Sequence, residues 1–496
     1  MINNNGGYIH MKRKIKIFYL LSLATPFIAF LMPFFTQASQ NNQSSGSYDV
    51  SDIALTPGSD ASKLNIAWHV LKIQKEHGNI ANNNILVKVA KKQDIQSEGA
   101  ALLQKASEFK GKIAGSLTDE NGKPVYSCKA TVTGLEKNMA YIYILGDGEG
   151  GWSEMHEYRV VDTDKYGFIY LADSQIGASA PMGTSGQNAS GAVANDGKAW
   201  ANTLKTINKN FPDAAFILSG GDQVELGGEE SQWTVFFSSP ELASIPVAPT
   251  IASHDEYTNG RGGAIKDTLP NLGLHFNLPN ESKVSGISNA GGDYYFLYGD
   301  VLYMVLNMDP AIAGFPMSQR GQSCDPDASV DCSDHKAFME KAISVNPQAR
   351  WKIVMFHYSI YSAGMHASVC SILALRNAMV PIMDSLDIDV VFMGHDHCFA
   401  RSYQMLGGKP QKDQIIDKDR ATINPTGTLY FTATSSSGSK YYNIHNNVGT
   451  FNYLAVYRQD YKPLFSYVEV DQNRLSISTY IAETMEKIDS YIIVKN

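Results

Sequence analysis

The hydrophobic pattern of the chain changes character near residue 162. Before that point apolar residues alternate with polar or small ones: Leu64, Ile66, Trp68 and Val70 take every second position, and short runs follow at 85–90, 130–133 and 141–144. Successive side chains of a strand point to opposite faces, so this alternation predicts half-buried strands packed as an all-β sandwich. From Tyr166 the runs become continuous, at 168–171, 215–218, 247–251, 353–356 and 389–393. Such runs fit strands of a parallel sheet buried on both faces. Between them the spacing predicts helices over about 196–210, 230–237, 335–345 and 372–386. Residues 294–298 and 301–306 read as an antiparallel pair around Gly299-Asp300, and the last third returns to strands at 428–432, 453–457, 465–470 and 475–480. The expected architecture is an all-β sandwich over 48–162 followed by an α/β domain over 163–496. No internal repeat of fixed period is present.

The first residues read as a targeting segment. Lys12, Arg13, Lys14 and Lys16 precede an apolar run from Ile17 to Phe35, and Thr36-Gln37-Ala38 fits a cleavage site before Ser39. This predicts a signal peptide over 1–38, a polar linker over 39–47, and a periplasmic or secreted protein. Pro26 and Pro33 make the run a poor permanent membrane helix, so membrane contact is expected only if the segment stays uncleaved. No cysteine follows the run to carry a lipid anchor.

At 496 residues, with 44% hydrophobic and 18% charged residues, the chain is globular and too long for one core. The formal charge of −8 and the lack of a basic stripe argue against a nucleic-acid polymer as partner. Five cysteines suit an exported chain. Cys324 and Cys332 share one polar loop and are the first candidates for a bridge, with Cys370 as the rival partner and with Cys128 and Cys398 expected free.

The chemistry sits where the buried strands end. Tyr170-Leu-Ala-Asp173-Ser-Gln175, Ser219-Gly-Gly-Asp222, Ser253-His254-Asp255, Phe356-His357 and Gly394-His395-Asp396-His397 each finish or follow an apolar run. Side chains at the C-terminal ends of neighbouring parallel strands converge on one crevice. Aspartates and histidines gathered there suit two hard or borderline metal ions, a device for displacement at phosphorus. In His395-Asp396-His397 the two imidazoles share one side of an extended segment.

This ordered set resembles the calcineurin-like metallophosphoesterase superfamily, and within it the purple acid phosphatase branch. That branch carries Asp-x-Gly, Gly-Asp-x-x-Tyr, Gly-Asn-His-Asp/Glu, a lone His after a strand, and Gly-His-x-His. The resemblance extends from about residue 48 to the end, because Leu135 and Tyr141 look like the tyrosine corner of a fibronectin type III-like domain. It implies a four-layer α/β/β/α sandwich behind that domain, which has no catalytic cluster of its own. It also implies a centre of two metal ions (iron, zinc or manganese) held by Asp173, Gln175, Asp222, His357, His395 and His397. Asp222 is the implied bridge, Asp173 and His397 belong to the first metal, and His357 and His395 to the second.

Three departures stand out. Glu225 replaces the branch's Tyr ligand, whose charge transfer to iron gives the purple colour, so the resemblance implies a protein that is not purple. Gln175 stands where the wider superfamily has a histidine ligand, with Glu225 as the alternative for that place. Ser253 replaces the Asn ligand of the second metal and weakens that site, unless Asp255 takes the place.

The activity implied is hydrolysis of phosphate monoesters, acid phosphatase-like, by water that the metals activate. His254 is the first candidate to protonate the leaving oxygen, Asp255 to orient it, and His366 to face the substrate. The partners expected are small phosphate esters. Phosphodiesterase activity on the same metals, or a catalytically weak exported binding or adhesion protein, remain the alternatives.

Overall fold

The computed structural model describes residues 50–71, 75–76, 79–80, 85–95, 105–119, 121–146, 151–181, 186–256, 271–308 and 324–496. The expected signal peptide and linker lie outside the described residues. No helix among the described residues is long and apolar enough to cross a membrane.

The alternating segments build two four-stranded sheets. One runs Val50–Pro57, Lys63–Val70, Pro124–Thr133, Lys112–Thr118; the other runs His156–Val160, Met139–Gly146, Leu86–Lys91, Ser107–Lys110. Their inner faces share a core of Leu55, Ile66, Trp68, Val87, Cys128, Tyr143 and Leu145. The tyrosine corner is present: Tyr141 Oη accepts the backbone N–H of Glu136 at 2.8 Å. Ser107–Lys110 had little alternation to offer because it is an edge strand with mostly exposed residues.

The second part consists of a seven-stranded and an eight-stranded sheet. In the first, Lys165–Leu171, Ala214–Ser219 and Val247–Pro249 are parallel, and Leu464–Asp471 joins antiparallel on the other side. In the second, Val301–Val305, Trp351–Met355, Val390–Met393 and Thr428–Thr432 are parallel. Tyr294–Tyr298 pairs antiparallel with Val301–Val305, as the run around Gly299 predicts.

Between the sheets lies a core of Phe168, Tyr170, Phe216, Phe296, Tyr303, Phe392, Phe431, Val468 and Ile477. Helices Ser190–Asn210 and Glu230–Phe236 cover the first sheet through Trp200, Leu204, Trp233 and Phe236. Helices Ser333–Val345 and Cys370–Ser385 cover the second through Phe338, Met339, Leu375 and Met379. The order is therefore α/β/β/α behind an all-β domain, the architecture expected. The first helix starts earlier than the pattern implied, because its opening turns hold Gly191, Ala192 and Ala194, which carry no amphipathic signal.

The disulfide corrects the first cysteine assignment. Cys324 pairs with Cys370, Cα atoms 5.1 Å apart, and not with Cys332. Cys332 immediately precedes helix Ser333–Val345, and its side chain is buried in the apolar layer beneath that helix. Cys128 and Cys398 are free and buried.

Candidate metal centre

Five parallel strands deliver the expected residues to one edge of the two sheets. Asp173 and Gln175 follow Lys165–Leu171, Asp222 follows Ala214–Ser219, and Ser253 and His254 follow Val247–Pro249. His357 follows Trp351–Met355, and His395 and His397 follow Val390–Met393. Tyr170 holds the two sheets in register beneath the site, its hydroxyl donating to the carbonyl of Met393 and accepting that residue's N–H at 3.1 Å.

The backbone at these positions is unusual. Thirteen non-glycine residues among those described have positive φ, and Asp173, Gln175, Asp222, His395 and His397 are five of them. Left-handed backbone is costly for residues with a Cβ and gathers at functional sites. Two glycines make room for it. A Cβ on Gly221, whose φ is +93°, would lie 2.8 Å from His357 Nδ1, and one on Gly394 would lie 2.8 Å from Asp173 Oδ2.

One donor atom from each of Asp173, Asp222 and His357 lies within 4.8 Å of the other two. His357 Nε2 stands 3.3 Å from Asp222 Oδ2, and His397 Nε2 stands 3.3 Å from Asp173 Oδ1. Both rings have their other nitrogen committed: His357 Nδ1 donates to the carbonyl of Gly220, and His397 Nδ1 to that of Lys440, each at 2.9 Å. A carbonyl only accepts, so Nδ1 carries a proton and Nε2 is the nitrogen that faces the carboxylates. This is how metal-binding histidines are held. His357 Nε2 is buried without a hydrogen-bond partner, an expensive state unless an ion takes the lone pair.

The electrostatics agree. Burial pushes the Asp173 carboxyl up to about 8, with the charge of His357 opposing and that of Asp222 adding to the rise. Burial also acts on Asp222, but the charges of His357, His254 and His395 outweigh it and hold that carboxyl below its ordinary value. His357, pushed down by burial, is raised to about 10 by the charges of Asp222 and Asp173. Burial, with the charge of Lys440 adding to it, pushes His397 down to about 3 despite the hydrogen bond to the Lys440 carbonyl. Two buried carboxylates thus recruit a proton onto His357, and a metal cation supplies that positive charge more fully. The donor set fits a metal pair.

His395 sits beside this group, its ring 5.2 Å from that of His357 and 4.6 Å from that of His366. Its backbone N–H donates to both oxygens of Asp173, at 3.0 and 3.1 Å. Gln175 and Glu225, read as alternatives for one ligand place, instead bond each other. Gln175 Nε2 donates to Glu225 Oε2 at 2.8 Å, which leaves the buried Gln175 Oε1 without a partner. Ser253 is buried and opens the short helix Ser253–Glu256.

At the mouth, each of two imidazoles is held by a carboxylate-bearing residue. His254 Nδ1 donates to the backbone carbonyl of Glu225 at 2.8 Å and lies 3.3 Å from the carboxylate of the same residue. His366 Nδ1 donates to Asp396 Oδ1 at 2.7 Å. Asp255 therefore does not orient His254. Its buried Oδ1 accepts the backbone N–H groups of Gln223 at 2.8 Å and Val224 at 3.3 Å, tying down the turn after Asp222. Burial, with the Asp222 charge nearby, pushes its carboxyl well up. Asp396, read only as part of its motif, and Tyr442, whose ring packs against both His366 and His397, are the site residues to which strand-end reasoning gave no role. The Asp396 signal was its place between two candidate ligand histidines.

Residues 194–399 match the family of calcineurin-like phosphoesterases, a span that takes in Asp222, His254, His357, His395 and His397 and begins after Asp173 and Gln175. A stretch of 50 residues is 40% identical to purple acid phosphatase 3 of Arabidopsis thaliana, covering 10% of this chain and 13% of that protein. The fold is similar to that of a purple acid phosphatase from yellow lupin (Lupinus luteus) seeds, with a TM-score of 0.64 at 14% identity over 90% of this chain and 75% of that one. It is also similar to PhoD, with a TM-score of 0.55 at 12% identity over 90% and 94% of the two chains. The chain thus carries a segment matching the calcineurin-like phosphoesterase family, within a fold similar to that of a purple acid phosphatase, its β-sandwich included.

Proposed function

We propose that this protein is an exported, dinuclear-metal hydrolase of phosphate monoesters. The observation that carries the reading is the pair of histidines, His357 and His397, each with Nδ1 donated to a backbone carbonyl and Nε2 aimed at Asp222 or Asp173. In this reading Asp173, His397 and Gln175 Oε1 hold one metal, His357 and His395 the other, and Asp222 both. Metals so held acidify water and offset the charge of a phosphoryl group.

The remaining work falls to the chain itself. His254 and His366 lie at the mouth with Nδ1 fixed as donor, so Nε2 is the nitrogen that passes a proton to the leaving oxygen. Glu225 and Asp396 hold those rings in place. Lys440, whose ammonium lies 5.2 Å from the centre of the Tyr442 ring and whose charge acts on Asp173, adds a positive group near the centre. Such a charge favours a doubly charged monoester over a singly charged diester. Export is supported by the Cys324–Cys370 bridge, which belongs to an oxidising compartment.

Turnover of an aryl phosphate monoester against an aryl diester, with metal analysis, tests the reading. A dominant monoester rate with two metals per chain is expected; a faster diester rate would replace it with a phosphodiesterase. Asp222→Asn should lose most bound metal and orders of magnitude in rate with an unchanged far-ultraviolet circular dichroism spectrum, and full activity in that variant would end the dinuclear reading.

A further inference from the structure

We propose that Asp52, His69, Glu230 and His275 form a separate structural metal site for one zinc-class divalent ion, clamping the β-sandwich to the phosphoesterase domain. One donor atom of each lies within 4.8 Å of the other three. Asp52 and His69 sit on neighbouring strands of the sandwich, Val50–Pro57 and Lys63–Val70. Glu230 opens helix Glu230–Phe236 and His275 closes helix Asn271–His275, both in the catalytic domain.

The distances suit an ion. His69 Nδ1 is 3.2 Å from Asp52 Oδ2 and 3.8 Å from Glu230 Oε1, and Glu230 Oε1 is 3.0 Å from His275 Nε2. Two ligands on a tetrahedral ion with bonds of about 2.0–2.1 Å stand roughly 3.3–3.4 Å apart. Close as they are, these atoms are not hydrogen-bonded: His69 Nδ1, Glu230 Oε1 and both ring nitrogens of His275 are buried with no hydrogen-bond partner. Leaving that many polar atoms unsatisfied in one place is expensive, and an ion satisfies three of the four at once.

The surroundings are arranged as they are around a bound metal. His69 Nε2 donates to the carbonyl of Leu274 at 3.3 Å, which fixes the tautomer and leaves the lone pair on Nδ1. The other oxygen of Glu230 takes the amide of Asn271 at 3.4 Å. Asp52 has φ of +48° at a register irregularity between Ser51 and Ala54, and such bulges re-aim a side chain. Trp233 and Phe237 stack on His275, with ring centres 4.7 and 5.2 Å away, and form an apolar wall.

Two carboxylates and two neutral imidazoles carry a charge of −2, which one divalent ion cancels; without it two acids are buried together. Imidazole donors select zinc-class ions over calcium or magnesium. Four protein ligands leave no open position for substrate, so the site is structural. It also reaches toward the mouth of the metal centre, because Gln232, on the same helix as Glu230, accepts the backbone N–H of Glu225 at 3.0 Å.

Anomalous diffraction at the zinc edge on zinc-saturated crystals of the full protein decides the matter. The expected result is a peak bonded to His69 Nδ1 and His275 Nε2, lost in His275→Phe together with one equivalent of metal by elemental analysis. Density absent from this cluster in the zinc-saturated protein overturns the proposal, as does equal metal content in the two proteins. The wild-type map suffices if His275→Phe does not fold. A peak here with none at Asp173 and Asp222 would refute the dinuclear reading and leave this one standing.

Discussion

The carboxylate of Asp396 accepts two hydrogen bonds from His366, from ring Nδ1 at 2.7 Å and from the backbone N–H at 3.0 Å. Asp396 is fully buried and lies between two candidate ligands in Gly394-His395-Asp396-His397, so one short turn joins the candidate metal ligands to the proposed proton donor. The ring of His366 in turn lies 4.6 Å from that of His395. The position of His366 is thereby tied to the candidate metal ligands.

His366→Ala should therefore lower kcat/KM on alkyl phosphates by roughly 10²–10⁴-fold, the usual worth of a positioned general acid. On 4-nitrophenyl phosphate, whose leaving group needs no proton, the loss should be far smaller. Asp396→Asn should give the same leaving-group pattern in weaker form. Equal losses on both substrates would reduce His366 to a binding group.

The strand-end candidates were legible because metal chemistry restricts residue type and parallel strands restrict position. Asp173, Asp222, His357 and His397 each follow an apolar run, and the structure gathers them. Contacts made across the sequence left no such trace. The bond from Gln175 to Glu225 joins residues fifty apart, and that from His366 to Asp396 joins residues thirty apart. The five positive φ angles at the site were equally invisible, since they follow from turns closed by other segments. Among the strands, Phe399–Leu406 was missed because its buried positions include Arg401, Ser402 and Gln404. Arg401 is tolerated there through its two hydrogen bonds to Asp489, at 2.7 and 3.1 Å, a partner far along the chain. Cys370 was underrated for the same reason: its bridge closes over 46 residues, whereas sequence proximity favoured Cys332.

Glu225 predicts the colour of the protein. It stands where the purple branch has its Tyr ligand, and its carboxylate is engaged with Gln175 and His254. Iron-loaded protein should show no strong visible tyrosinate-to-iron band. An intense purple sample in absorption spectroscopy would mean that another tyrosine, such as Tyr358 beside His357, ligates the iron.

His335 predicts a pH-dependent part of the stability. Its Nδ1 lies 2.7 Å from Asp293 Oδ2. Burial pushes this imidazole down, but the hydrogen bond and charge of Asp293 outweigh burial and raise it above the ordinary histidine value. A raised folded-state value gives stability that is complete below the unfolded histidine range and is lost as pH rises through the folded value. The melting temperature of wild type should exceed that of His335→Gln by more at about pH 5.5 than at about pH 9. A gap that stays constant or widens at high pH would show that no ion pair is present.

Ser253 predicts how the second metal is held. Its hydroxyl is shorter than the amide the family places here, and the neighbouring Asp255 is occupied with the N–H groups of Gln223 and Val224, so neither replaces the missing oxygen at full reach. Activity should therefore rise on adding divalent metal and fall under mild chelation. Ser253→Asn should restore a ligand oxygen and lower the metal concentration for half activity by about tenfold, corresponding to about 1.4 kcal/mol. Asp173 and His397 are assigned to the other metal, so the first metal should bind as before. Calorimetric metal titration of the two proteins separates the sites. If dialysed wild type keeps both metals and Ser253→Asn binds the second no more tightly, then Asp222, His357 and His395 hold that ion without help from position 253.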